Sequence, residues 1–411
     1  MKKTDSASIT KSQPAVVRRI IASAVIKVLA DVGIGRLTHR AVARTAKTSL
    51  SATTYYYATK MDMLHEASRQ LMDSYLSRFR SIAHDFRNGK RASSTFEIFS
   101  TTLAVNAAEA HRGTTTAWYE IIMNSPRSSE GIQMASEWYS ELLSIWMDLA
   151  DAMGERKNPS DVQNAIDQVV GFQLMAIALG LTEQQIRSVS SGADPIVAWH
   201  LSDGQMSATA APPQKSQDSR ARILQTAIDL LIEEGAGSVS YRKIAERTGA
   251  AQSAPAYYFG SISGLLSAAQ VELFHSSKTR YRTQMAFKPN QKPSISDIAN
   301  LTTAIAIREA TEFRLNSIAH YSLWIEAGRS RSLRADVQLA VRDQILAWKR
   351  RLTQVMPASN NIALYFQALF IGQLIRLTAT GAEIANLSDI RHLYMQSLTA
   401  KRQMLLTDGS S

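Results

Sequence analysis

The chain has 411 residues, no cysteine and a formal net charge of +11 at pH 7. That length suits two to three domains, and the lack of cysteine excludes disulfides and thiolate metal sites. The N-terminus lacks the apolar stretch of a signal peptide, and the most apolar later runs, 172–181 and 364–377, are too short or too interrupted to span a bilayer. We therefore expect a cytoplasmic protein with no membrane partner.

The helical pattern begins near the N-terminus. Apolar residues recur at three- and four-residue spacing and strand-like alternation is absent, which predicts an all-α chain. A first helix is predicted over about residues 14–32, ended by Gly33. A second begins after Thr38, a natural N-cap, and runs to about residue 46. After a tight turn, a third covers about 50–56. Two short helices joined by a tight turn are typical of a helix-turn-helix DNA reader.

This segment occurs twice. Residues 18–64 reappear without a gap at residues 220–266, and at this shift of 202 residues 13 of the 47 positions are identical. The second copy predicts helices over about 219–234, 241–248 and 252–258, with Ser240 as the N-cap. Later matches, such as Trp146 with Trp348 and Gly171 with Gly372, indicate duplication of a unit of about 200 residues.

The repeat and the composition predict six domains or segments. They are a flexible basic arm (1–13), a first helix-turn-helix domain (14–64), a helical domain (65–201), a linker containing Pro212 and Pro213 (202–219), a second helix-turn-helix domain (220–266) and a second helical domain (267–411). Residues 1–64 carry 11 basic against 3 acidic side chains, whereas residues 65–214 carry 11 against 17. This contrast favours a polyanion site at one end of the first unit, with solvated helix faces as the alternative.

Both copies end in the pattern S-A-x-x-Y-Y-(Y/F), after a shared glycine pair and an arginine two residues beyond the N-cap. This order resembles the tetracycline-repressor (TetR) family of bacterial regulators. The resemblance implies two TetR-like units in tandem, each a DNA reader followed by a helical ligand-binding and dimerisation domain. The implied partners are a double-stranded DNA operator and a small-molecule inducer.

Short polar side chains in the predicted recognition helix can reach base edges, and phenols near its end can donate to phosphates. In the first copy the predicted DNA-binding residues are Thr38, Arg40, Lys47, Thr48, Ser49, Ser51, Thr53, Thr54, Tyr55 and Tyr56. The resemblance adds a phosphate contact for Lys60 and for the basic residues Lys11, Arg18 and Arg19. In the second copy the candidates are Ser240, Arg242, Lys243, Gln252, Ser253, Tyr257 and Tyr258.

The second copy departs from the first at two positions. Ile262 replaces Lys60, and Pro255 lies inside the predicted recognition helix, where a proline beyond the first turn would cause a kink. We therefore expect unlike half-sites, with more phosphate affinity from the first copy. For Tyr57 and Phe259 we expect core packing.

The resemblance also implies an apolar cavity in at least one unit. Candidate ligand-binding residues are Trp118, Tyr119, Met123, Trp146, Phe172, Tyr321, Trp324, Trp348 and Phe370, although core packing is the plainer interpretation of each. Arg127 and Arg329, at equivalent positions, are candidates to meet an acidic ligand.

No catalytic constellation, metal-ligand spacing or cofactor motif is present in the sequence, so we expect no enzyme, metal or cofactor. The main hypothesis is a ligand-responsive repressor that acts as an intrachain pseudo-dimer, with association of two such chains as an extension. Two alternatives stay open: a second unit that senses and dimerises without binding DNA, and a protein that coats DNA without sequence preference.

Overall fold

The computed structural model describes residues 7–92, 95–108, 110–201, 214–284, 292–381 and 388–408. All regular structure in these ranges is helical, which confirms the all-α prediction. The helices of the first half (7–201) are α1 (Ala7–Val32), α2 (His39–Ala46), α3 (Leu50–Tyr56), α4 (Lys60–Arg87), α5 (Phe96–Ala108), α6 (Arg112–Asn124), α7 (Ser129–Ala152), α8 (Pro159–Leu179), α9 (Glu183–Ser190) and α10 (Pro195–Ala198).

The second half (214–408) repeats the order of the first eight helices. Its helices are α11 (Gln214–Glu234), α12 (Tyr241–Thr248), α13 (Ala254–Phe259), α14 (Ile262–Gln284), α15 (Ile295–Thr311), α16 (Arg314–Arg329), α17 (Arg331–Leu352), α18 (Asn360–Ala379) and α19 (Ser388–Asp408). Single 3₁₀ turns lie at Ile34–Arg36, Ser125–Arg127 and Ala236–Ser238. The first of these turns follows α1 and the last follows α11, so the two helix-turn-helix segments share this detail as well.

Two long helices begin earlier than the sequence predicts. Helix α1 begins at Ala7 and continues through Pro14, because one proline removes a single backbone hydrogen bond without ending a long helix. Helix α11 begins at Gln214, inside the predicted linker, where glutamine and lysine favour helix. The remaining linker residues, 202–213, and residues 1–6 of the predicted arm lie outside the described ranges.

Helices α8 and α18 cross at two equivalent glycines. A Cβ atom on Gly171 would lie 1.9 Å from the carbonyl oxygen of Ala368, and one on Gly372 would lie 1.7 Å from that of Asp167. Only glycine therefore permits this approach of the two backbones. Helix α7 also packs against α18, and α17 against α8, so four helices surround the crossing.

A buried ion pair lies at the same crossing. The Arg376 guanidinium contacts the Asp167 carboxylate at 2.8 Å, and Asp167 is fully buried. The pair has no counterpart across the repeat, because the equivalent positions hold Ala368 and Met175. Removing one partner of such a pair would leave an uncompensated buried charge.

The base of each helix-turn-helix segment is held by an arginine from the opposite half. Arg329 donates to the carbonyl oxygen of Leu29 at 2.8 Å, and Arg127 donates to that of Leu231 at 3.1 Å. Leu29 and Leu231 are equivalent residues near the ends of α1 and α11. The two arginines therefore cap helix carbonyls, and the idea that they meet an acidic ligand is wrong.

Helix α18 is long and apolar enough to cross a membrane by length and composition alone. It extends beyond residues 364–377, the apolar run that the sequence analysis compared with a membrane span. Its most apolar window is 83% buried inside the protein, as expected for a core helix.

We expect Gly171→Ala to lower the free energy of unfolding by about 1–3 kcal/mol, because the new methyl group overlaps the Ala368 carbonyl and forces α8 and α18 apart. Urea denaturation followed by circular dichroism measures the change. Gly113→Ala is the matched control, since its Cβ would meet nothing closer than 3.9 Å and alanine favours helix. Equal stability of the two variants would show that the crossing is not tightly packed.

Candidate functional site

The first helix-turn-helix segment is fixed by two side-chain caps. Thr38 Oγ1 accepts from the backbone N–H of Ala41 at 3.1 Å at the start of α2, and Ser49 Oγ accepts from that of Ala52 at 3.1 Å at the start of α3. Both contacts satisfy N–H groups that a helix start leaves unpaired. Between the helices, Lys47 adopts a left-handed conformation with φ 53°. The turn predicted from sequence is present.

Most of the predicted DNA-binding side chains of the first segment lie on its surface. Tyr55 is 84% exposed, and Thr48 and Tyr56 are half-buried. The other exposed candidates are Thr38, Arg40, Lys47, Ser49, Ser51 and Thr54. Arg18 is exposed too, with its guanidinium 5.7 Å from the centre of the Tyr57 ring, and Tyr57 is buried as expected.

Two candidates of the first segment make hydrogen bonds within the protein. Thr53 is fully buried and donates to the Leu50 carbonyl at 2.8 Å, because α3 turns this position towards the three-helix core. Lys60 is exposed as a residue, but its ammonium donates to the Ile34 carbonyl at 2.6 Å. Burial of that ammonium lowers the pKa of Lys60, and Glu120 opposes the shift. The predicted base contact of Thr53 is therefore wrong, whereas the phosphate contact of Lys60 stays a prediction.

The second segment presents the same surface with a shorter recognition helix. Tyr257 is 81% exposed; Arg242, Gln252 and Ser253 are also exposed, while Ser240, Lys243 and Tyr258 are half-buried. Helix α13 begins at Ala254, two residues later than predicted, because Pro255 is accommodated in its first turn. The expected kink does not occur, and Gln252 and Ser253 precede the helix.

The two segments differ in how their basic residues are paired. In the second, Arg247 contacts Glu233 at 2.8 Å and Glu234 at 3.1 Å, and Lys243 also contacts Glu234. Arg242 lies 3.7 Å from Glu246. The first segment has four exposed cations that no carboxylate of its described residues pairs with. They are Arg36, Arg40, Arg44 and Lys47. The first segment therefore offers more unpaired positive charge to a polyanion.

A cavity of about 1050 Å³ lies in the first half, between α4, α5, α6, α7 and α8. Two predicted residues, Trp118 and Trp146, line it. Trp138 lines it too, as does Tyr75, which sequence reasoning missed. Trp146 Nε1 donates to the Tyr75 hydroxyl at 2.8 Å, and Trp138 Nε1 donates to Ser68 Oγ at 2.7 Å. These bonds orient the aromatic walls and leave the ring faces for a ligand.

Two small cavities lie in the equivalent region of the second half. One of about 160 Å³ is lined by Trp348 and Phe370, and another of about 10 Å³ is lined by Tyr321. The remaining ligand candidates, Tyr119, Met123, Phe172 and Trp324, line none of these cavities. Three of them are buried core residues, and Phe172 packs against Trp199 with ring centres 5.7 Å apart. Their assignment to the pocket is wrong because helical spacing does not distinguish core from cavity.

The second segment also carries a recognisable family signature. Residues 223–269 match the family model for bacterial regulatory proteins of the tetR family. The matched region runs from α11 into α14, which supports TetR family membership and a role in DNA-binding transcription regulation. No curated protein matches the chain. In the described residues, no group of three or more histidine, aspartate or glutamate side chains is placed to hold a metal ion.

We expect Lys47→Gly to raise the free energy of unfolding by about 1 kcal/mol, because glycine adopts the left-handed conformation without the Cβ clash. The same variant should bind DNA more weakly, since it loses an exposed ammonium. Lys47→Ala is the control: it removes the charge and keeps the Cβ. Denaturation and DNA titration of both variants separate the two roles. Unchanged DNA affinity in both would remove Lys47 from the interface.

Proposed function

We propose that the protein is a ligand-responsive transcription repressor built from two TetR-like units in one chain. The observation that carries the proposal is the reciprocal contact between equivalent residues: Arg329 with Leu29, and Arg127 with Leu231. The backbones of Gly35 and Gly237, also equivalent, lie against each other. Contacts of this kind are typical of a two-fold dimer interface, so the chain acts as an intrachain pseudo-dimer.

A pseudo-dimer presents its two recognition helices to two half-sites of one operator. Helices α3 and α13 differ in length, sequence and charge pairing, so the half-sites differ as well. Arg40 and Lys47 face the DNA without carboxylate partners, whereas Arg242 and Arg247 have them. The operator is therefore asymmetric, and the first segment supplies more of the phosphate affinity.

An inducer in the first-half cavity acts on the reader through α6. Trp118 of this helix lines the cavity. Two residues later, Glu120 accepts from the backbone N–H of Ile34 at 3.0 Å and from Arg329 at 2.7 Å. A ligand that shifts α6 thereby moves the base of the first reader relative to the second half. The result is a population shift towards a form with lower operator affinity.

The alternatives have less support. If the second unit had lost its reader, its residues 223–269 would not be expected to match the family signature, and Tyr257 would not be expected to be as exposed as Tyr55. A protein that coats DNA uniformly has no need of two readers fixed to each other by reciprocal arginine contacts.

The deciding experiment is a DNase footprint on the DNA upstream of the protein's own gene, at near-physiological salt. We expect a bounded site with two unlike half-sites. Protection of one half-site would instead support a non-binding second unit. Uniform protection without a boundary would contradict a specific repressor and leave the DNA-coating alternative.

Arg40→Ala and Arg242→Ala form a matched pair of variants at equivalent positions. We expect Arg40→Ala to weaken operator binding more and to reduce the salt slope of log K by about 1, because it removes an unpaired cation from a phosphate. Arg242→Ala should have a smaller effect, since Glu246 already lies near that guanidinium. Affinity measured from 50 to 200 mM salt tests this, and equal slopes for both variants would contradict the asymmetry.

A further inference from the structure

Arg280 of α14 is paired with a carboxylate of the same chain. Its Nε and Nη2 atoms donate to the two oxygens of Glu309 at 2.8 and 2.9 Å, and Glu309 is buried. The Arg280 guanidinium also lies 4.3 Å from the centre of the Phe313 ring. This bidentate pair places a carboxylate inside the helical domain of the second half, beside the half-buried Tyr281 and the buried Tyr321.

Arg78 occupies the equivalent position on α4. The register of the repeat holds here, because His111 and Phe313, 202 residues apart, each lie at the N-cap of the next equivalent helix, α6 or α16. In this register alanine, at position 107, takes the place of Glu309. Within the described ranges no carboxylate pairs with Arg78. The first half therefore keeps the arginine and lacks the carboxylate.

Arg78 lines the large cavity together with aromatic rings. Its guanidinium carbon is 5.6 Å from the ring centre of Tyr75 and 5.2 Å from that of Phe79. The other charged residues that line the cavity offset each other or are uncharged near neutral pH. Arg91 and Asp85 lie 3.9 Å apart. Burial, with a contribution from Arg78, lowers the pKa of His111 below its ordinary value of 6.5.

We propose that the first-half cavity binds an aromatic carboxylate whose anionic group pairs with Arg78, in the role that Glu309 has for Arg280. The rings of Tyr75, Phe79 and Trp118 supply flat apolar surface for the aromatic body. A charge-assisted, bidentate arginine contact then selects the carboxylate over neutral analogues. The binding chemistry stands on this geometry alone, whereas the role of the ligand as inducer rests on the proposed function.

Isothermal titration calorimetry of the full chain with 2-naphthoate and its neutral analogue 2-naphthamide tests the assignment. We expect 2-naphthoate to bind about tenfold more tightly, and Arg78→Gln to bring the two affinities within about twofold of each other while 2-naphthamide binding is unchanged. Arg80→Gln is the control, because it makes the same charge change two residues along α4, at an exposed position that does not line the cavity. Equal binding of the two probes to the unmodified protein, no binding of either, or equal effects of both variants would overturn the proposal.

Footprints of the unmodified protein and of the Arg78→Gln variant separate the two levels. A normal footprint of the variant without carboxylate selectivity assigns the loss to the cavity. Carboxylate selectivity of the unmodified protein without any footprint overturns the DNA-binding function and leaves this site standing.

Discussion

The close crossing of α8 and α18 at Gly171 and Gly372 determines how the two halves are arranged. Backbone contact at this point leaves no room for any side chain. The buried pair of Asp167 and Arg376 then makes the contact directional. Pairing the first half with a copy of itself would place Asp167 opposite Met175, and an uncompensated buried charge costs about 3–5 kcal/mol. The crossing therefore favours the complementary half of the same protein over an identical one.

The positions of the readers follow from this arrangement. Once α8 and α18 are fixed, Arg127 and Arg329 reach across and bind the last carbonyls of the opposite first helix. These contacts hold α1 and α11 at their ends, close to the turns that lead into α2 and α12. Within the described ranges the first reader has an additional anchor at Glu120, which the repeat replaces with Ser322. A displacement of α6 therefore changes the position of the first reader more than that of the second.

Much of this organisation could be predicted from sequence, because caps, glycine turns and repeated residues act locally. Thr38 and Ser240 cap their helices as expected, and Tyr55 and Tyr257 are exposed at equivalent places. What the sequence did not reveal concerns side chains whose neighbours are distant in sequence. The polarity of Thr53 suggested a base contact, but the three-helix packing buries it, and Lys60 is held by a carbonyl 26 residues earlier. Tyr75 became recognisable as a cavity wall only when the surrounding helices were in place.

The difference between the two cavities shows how a duplicated fold can separate two tasks. In the first half Arg78 lines an open cavity, whereas its equivalent in the second half, Arg280, is paired with the buried Glu309. A filled interior resists deformation, since close packing leaves no space for helices to shift. In the proposed function, the second half is the reference against which an occupied cavity in the first half displaces α6.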